Sequence, residues 1–232
     1  MQRLVRRSIV QLAFPLSVAG IVAASACGSD STTSPLTPAA IARVSADSQT
    51  TSVGVAMSQP LIVLVTGGGG APLANASVVW TVGDGGGTLS DTTVVSDAEG
   101  HAATTYTPGQ TPGLAHVTAR TGSLAAAFTI TLVVGAPTSL EKFGSDNPAA
   151  IVGAVLPLSV KLEDAYGNGI AGATVTWSAT GGSIGVTTST TDSGGVATVT
   201  YTASSAAGTS TLTASVNGIA PTTFTITTIG GS

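Results

Sequence analysis

The serine of Gly181-Gly182-Ser183-Ile184-Gly185 satisfies the G-x-S-x-G spacing of a nucleophile elbow. That chemistry needs the serine on a strained turn between a strand and a helix, and a histidine to take its proton. No helical period follows Ser183, and no histidine occurs after His116. A catalytic serine is not expected, nor is any other enzymatic activity. His101 and His116 are the only imidazoles that could share a transition metal. Both fall on the outward parity of short alternating runs, joined by a turn centred near Gly109 to Pro112. If the two runs pair antiparallel, His116 faces about Thr105 and His101 lies four residues further on, about 13 Å away at ~3.3 Å per residue. Zinc bound at about 2 Å from each imidazole does not span that gap. Asp84, Asp91, Asp97 and Glu99 bring carboxylates close in sequence. Their spacing is not that of an EF-hand loop, and calcium asks for about six to eight oxygens. Gly67 to Gly70 could cradle a phosphate only ahead of a helix N-terminus and usually a lysine. A proline-containing strand entry follows instead. No metal and no cofactor is expected.

Cys27 is the one cysteine, so no intrachain disulfide can form and core packing alone must hold the fold. It closes the run Ala24-Ser25-Ala26-Cys27, which follows a basic start with Arg3, Arg6 and Arg7 and an apolar stretch from Ile9 to Val22. Basic, then apolar, then small is the order of an export signal. A spanning helix needs about 20 apolar residues, whereas this stretch is shorter and interrupted by Gln11, Pro15 and Ser17. Small side chains before a cysteine suit a narrow peptidase cleft, and the segment resembles the bacterial lipobox, with Ala24 where that family usually carries Leu or Val. The resemblance implies that residues 1–26 are a lipoprotein signal peptide and that Cys27 takes a lipid, tethering the chain to the outer membrane or cell surface. Ordinary cleavage near the same site would leave a lone thiol.

All eleven Asp and Glu lie beyond Cys27, as do only four of the seven Lys and Arg, so the exported part carries seven net negative charges. Nucleic acid is not an expected partner, because phosphate contacts need clustered basic side chains. Arg43, Arg120, Lys142 and Lys161 are scattered.

The elements that position these residues come in two copies. Residues 27–40 are expected to be a flexible tether: after Cys27 they are Gly, Ser, Thr, Pro and Ala with one Asp and one Leu, too poor in apolar residues to pack. Beyond them Pro60-Leu61, Val63, Gly70 and Ala76 to Trp80 recur 97 positions later, as Pro157-Leu158, Val160, Gly167 and Ala173 to Trp177. Asp97, Gly100, Ala102 and Tyr106 recur at 95, as Asp192, Gly195, Ala197 and Tyr201, and Phe128-Thr129-Ile130 recurs at 96 as Phe224-Thr225-Ile226. Drifts this small are short loop insertions between strands that keep their register. The predicted domains are 41–135 and 136–232. Within each, apolar residues alternate over short runs rich in Val and Thr and punctuated by Gly, Asp, Asn and Pro. In Val196 to Tyr201, for example, Ala197, Val199 and Tyr201 share one face. Period two marks half-buried strands, and about seven of them per copy predict an all-β, two-layer sandwich.

Asp164-Ala165-Tyr166-Gly167-Asn168-Gly169, Ala173 to Ala179 and Thr191 to Ala197 resemble the bacterial immunoglobulin-like repeats of the invasin and intimin group. The first copy matches at Trp80, Asp97 to Gly100 and Tyr106, but carries Gly67 to Gly70 where the Asp-x-Tyr-Gly-Asn turn falls, which suggests a looser turn. The resemblance implies two tandem immunoglobulin-like β-sandwich domains. It also implies a role as a spacer or adhesive stalk at a bacterial surface.

Trp80 and Trp177 take equivalent strand positions and are expected to fill the space between sheets. Tyr106 and Tyr201 are expected to pack inward with the hydroxyl on a backbone partner. Asp97 with Gly100, and Asp192 with Gly195, are expected to form turns closed by local bonds from backbone N–H to carboxylate. The function expected is that of a lipid-anchored surface spacer or structural and interaction module. The alternative is a binding module for a glycan or a surface protein, acting through loops at one end of a sandwich.

Overall fold

The computed structural model describes residues 37–231 other than Ser145. The signal segment, Cys27 and most of the expected tether lie outside the described residues. In the first copy the alternating runs form β1 (Ala40–Arg43), β2 (Gln49–Ser52), β3 (Leu61–Thr66), β4 (Ser77–Val82), β5 (Gly87–Leu89), β6 (Thr93–Val95), β7 (His101–Thr104), β8 (Tyr106–Pro108), β9 (Gly113–Thr121) and β10 (Leu124–Val133). The second copy forms β11 (Pro137–Phe143), β12 (Ala149–Ile151), β13 (Val155–Asp164), β14 (Thr174–Ala179), β15 (Ser183–Ile184), β16 (Thr188–Thr190), β17 (Val196–Thr202), β18 (Gly208–Ser215) and β19 (Thr222–Ile229). Among the described residues the one helical element is a single 3-10 turn at Gly68–Gly70.

Each copy is a two-sheet sandwich with the same strand order. In the second, one sheet runs β11-β13-β17-β15 and the other β12-β19-β18-β14-β16. In the first, β1-β3-β7 and the ribbon β5-β8 stand for the one sheet, and β2-β10-β9-β4-β6 for the other. The opening stretch of each copy divides between the sheets. β1 pairs antiparallel with β3 and β2 parallel with β10, and β11 and β12 repeat this on β13 and β19. A segment that crosses in this way closes an edge of both sheets, which otherwise present unpaired backbone groups.

The period-two pattern decides what is buried. Leu61, Val63 and Val65 of β3 and Ala197, Val199 and Tyr201 of β17 all point into the cores. The two cores are separate clusters, one reaching from Val53 to Leu132 and the other from Leu140 to Ile226. Each fully buried Val, Leu or Phe contributes about 1.5–3 kcal/mol relative to leaving it in water. This burial does the work that disulfides do in many exported proteins.

The structure departs from two expectations of the sequence. β9 does not pair with β7: it hydrogen-bonds to β10 and β4, while β7 pairs with β3. The connection through Gly109 to Pro112 crosses from one sheet to the other, so His116 does not face Thr105 and the two histidines lie in different sheets. A four-residue connection reaches about 13 Å, enough for the ~10 Å between packed sheets. The turn at Gly67 is also not looser in its backbone. Gly67 N–H donates to the Ala71 carbonyl at 2.9 Å and Gly70 N–H to Gly67 at 3.1 Å. Asp164 to Asn168 and Gly167 to Asp164, at 3.0 and 3.2 Å, are the same bonds in the second copy. The first turn lacks side chains, not hydrogen bonds.

Candidate functional site

Trp80 and Trp177 lie on the inner strands β4 and β14, each next to an edge strand, and are 1% and 2% exposed. Trp80 stacks on Phe128 with ring centroids 6.0 Å apart. Neither indole faces solvent where a ligand could stack. Tyr106 and Tyr201 are likewise fully buried. The Tyr106 hydroxyl donates to the Gly86 carbonyl, and that of Tyr201 to Gly181 at 2.9 Å. Burial pushes the Tyr106 phenol above its usual pKa.

The Asp turns use the carboxylate as an internal acceptor. Asp97 Oδ1 takes the N–H groups of Glu99 and His101 at 3.1 and 2.7 Å, and Asp192 Oδ1 those of Gly194 and Val196 at 2.8 and 2.9 Å. Gly100 and Gly195 follow with φ of 79° and 82°. A Cβ at either would press on the carbonyl oxygen of Val65 or Leu162, at 2.6 and 2.5 Å. Only glycine lets these turns dock onto the neighbouring strand.

The groups with other possible chemistry are kept apart. His101 Nδ1 lies 3.9 Å from Asp97 and His116 Nδ1 3.6 Å from Asp84. Among the described residues no group of three or more His, Cys, Asp or Glu is gathered as a metal would need. Ser183 opens β15, opposite Thr202 of β17, with no helix after it. Three open surface grooves of about 460, 370 and 500 Å³ lie at the first sandwich, around Asn75, Gln59 and Gln110, and none is lined by a titratable or aromatic side chain.

One residue was missed as a site. Asp164 is buried, and its carboxylate accepts the N–H groups of Tyr166 and Asn168 at 2.8 and 3.0 Å, the Asn168 side-chain amide at 3.1 and 2.9 Å, and the N–H of Gly135 at 2.9 Å. Burial by itself raises its pKa. The Asn168 amide outweighs that together with the N–H groups of Gly135, Asn168 and Tyr166, and the carboxyl is held at about 2. The local half of this pattern was visible, because Asp97 and Asp192 also bond two and four residues ahead. The bond to Gly135 carries no local signal.

These features define the class: tandem immunoglobulin-like β-sandwiches with six of their eight described aromatic side chains in the cores. Residues 146–229, within the second sandwich, match the family model described as bacterial Ig-like domain (group 1). In fold the chain is similar to FdeC, an Escherichia coli adhesin, at 21% identity and a TM-score of 0.52, over 82% of this chain and 63% of that one. It is similar to invasin, a bacterial integrin-binding protein, at 24% identity and a TM-score of 0.39, over 82% of this chain and 39% of that one. A C-terminal fragment of intimin, solved with the intimin-binding domain of its translocated receptor, gives 23% identity and a TM-score of 0.37, over 82% of this chain and 64% of the fragment. The chain thus spans less than two thirds of the length of each of these three structures. No curated protein matches it in sequence.

Proposed function

We propose that this is a lipid-anchored bacterial surface protein, exported and held through lipid on Cys27, in which the two sandwiches serve as a spacer or structural module and not as an enzyme. The observation that carries this reading is where the chemistry is left over. Six of the eight aromatic side chains among the described residues are buried in the cores, and the described grooves carry no titratable group. The remaining reactive group is Cys27, behind a basic, apolar and small-residue leader. No helix among the described residues is long and apolar enough to cross a membrane. We place the boundary between the sandwiches at Gly135 and Ala136. Cys27→Ser, expressed in a bacterium and fractionated, is expected to move the protein from membranes to the soluble fraction. Retention in membranes would sink the lipid anchor.

A second reading, a module that binds a surface protein, is favoured by Ile151 and Ile229. They are cross-strand partners, each more than half exposed. Glycan binding is less supported, since Phe143 and Tyr166 are the aromatics left exposed among the described residues. A glycan array probed with the soluble part tests this directly, and specific, competable binding would replace the spacer reading.

A further inference from the structure

At one end of the first sandwich two turns lie side by side, with Gly54 N–H donating to the Gly109 carbonyl at 3.1 Å. Gly54 has φ of 68° and is wholly without a side chain where it faces the second sandwich: a Cβ there would collide with the phenol of Tyr166. Two residues on, Asn168 Nδ2 donates to the Gln110 carbonyl of the first sandwich at 2.8 Å. Asp164, which opens the same turn, holds the connecting chain through Gly135 N–H at 2.9 Å. One five-residue turn therefore reaches three points outside its own core: the seat at Gly54, the turn after β8, and the connector.

The repeat supplies a reference for each half of this contact. Gly153 is the counterpart of Gly54, with φ of 73° and its N–H on the Ser204 carbonyl at 3.3 Å, but nothing lies within 4 Å of where its Cβ would be. The same seat is open at the end of the second sandwich and filled at the end of the first. Conversely, Gly67 to Ala71 repeat the backbone of the Asp164 to Asn168 turn with no side chain larger than the Ala71 methyl.

We propose that the turn Asp164 to Asn168 is an interdomain clasp that makes the two sandwiches move as one body. A connector alone leaves a swivel, and independent motion is the default for domains joined by a small interface. Three attachment points on one turn remove it. The clasp costs little ordering on closure, because Asp164 already holds the Asn168 amide with both carboxylate oxygens. Tyr166 is 42% exposed and belongs to neither core, so its ring is free to serve the junction.

The test uses residues 36–232, one compact unit that contains both cores entire. Backbone 15N relaxation reads the rotational correlation time of each sandwich on the nanosecond scale. In the native protein both sandwiches are expected to report one common tumbling frame. Tyr166→Ala is expected to separate them and shorten the apparent correlation time by roughly half, as bodies of ~100 residues replace one of ~200. Gly54→Asn approaches from the other side: asparagine tolerates positive φ, but its side chain occupies the seat of the phenol, and the same decoupling is expected. This second variant decides the matter if Tyr166→Ala fails to fold. Independent tumbling in the native protein would overturn the proposal. So would common tumbling that survives in either folded variant.

Discussion

The two sandwiches share strand order, core aromatics and turns, yet satisfy their buried polar atoms differently. In the second, the Trp177 indole N–H donates to Ser189 Oγ at 2.8 Å. In the first, Trp80 Nε1 is buried without a partner. The pairing Val175 to Ser189 in one copy and Val78 to Val94 in the other identifies Val94 as the counterpart of Ser189. Where Ser189 presents a hydroxyl, Val94 presents two methyl groups, so the first copy gains apolar contact while its indole N–H is desolvated without compensation. A repeat can keep its architecture while its copies differ in local stability, because packing volume and hydrogen bonding are separable demands.

The largest break in this comparison is expected from Trp177→Ala. Emptying a buried Trp site costs about 3–5 kcal/mol, and no disulfide can form to hold the remainder. Denaturant melts should show the second sandwich unfolding first, with the first unaffected. A loss below about 1 kcal/mol would mean that Trp177 is not a core residue. Ser189→Val is expected to cost about 1–3 kcal/mol, the penalty for a buried donor left unsatisfied. It should make the second copy behave as the first does now.

Acid separates the copies in another way. In the second, Asp164 has its carboxyl lowered to about 2 by its four donor groups, against ~3.9 in an unfolded chain. A depressed carboxyl contributes stability that is complete above the unfolded value and is lost as pH falls through the folded one. Between about pH 4 and 2 the turn at Asp164 should therefore weaken, with the amide signals of Gly135, Tyr166 and Asn168 shifting together near the lower end of that window. A shared midpoint near 4 would show that the carboxylate is not held as described. In the first copy the lowered carboxyl is Asp47, through the backbone N–H of Thr129, with smaller help from Ser48 and Arg43. Its counterpart in the second copy is Asn147, which accepts the N–H of Thr225 at 3.0 Å and does not titrate. Acid thus acts at different turns in the two copies. The smallest expected effect is a gain. Val94→Thr keeps one methyl against the core and should give Trp80 an acceptor, raising the stability of the first sandwich by about 0.5–1.5 kcal/mol, visible as a shift in its own melt.

Much of this was legible beforehand, and for a definite reason. Strand identity and facing follow from period two, so Ala197, Val199 and Tyr201 could be assigned inward from their spacing alone. The repeat then placed Trp80 by Trp177 and Tyr106 by Tyr201. The Asp97 and Asp192 turns were readable because their bonds are local, spanning two and four residues. Alternation says which face of a strand is buried, but not which of two sheets the strand joins. A hairpin and a crossing through Gly109 to Pro112 leave the same pattern, and only the tertiary structure sent β9 to the opposite sheet and parted His101 from His116.

The junction lay beyond the sequence for a related reason. The five residues from Asp164 to Asn168 were visible as a motif, but what they hold was not. Gly135 is 29 positions from Asp164, and Gln110 is 58 positions from Asn168. Gly54 looks in sequence like any turn glycine, as does its unoccupied counterpart Gly153. Contacts between two folded bodies leave no period in either strand pattern, so the sequence determined the two sandwiches and the tertiary structure decided how one turn of the second meets the first.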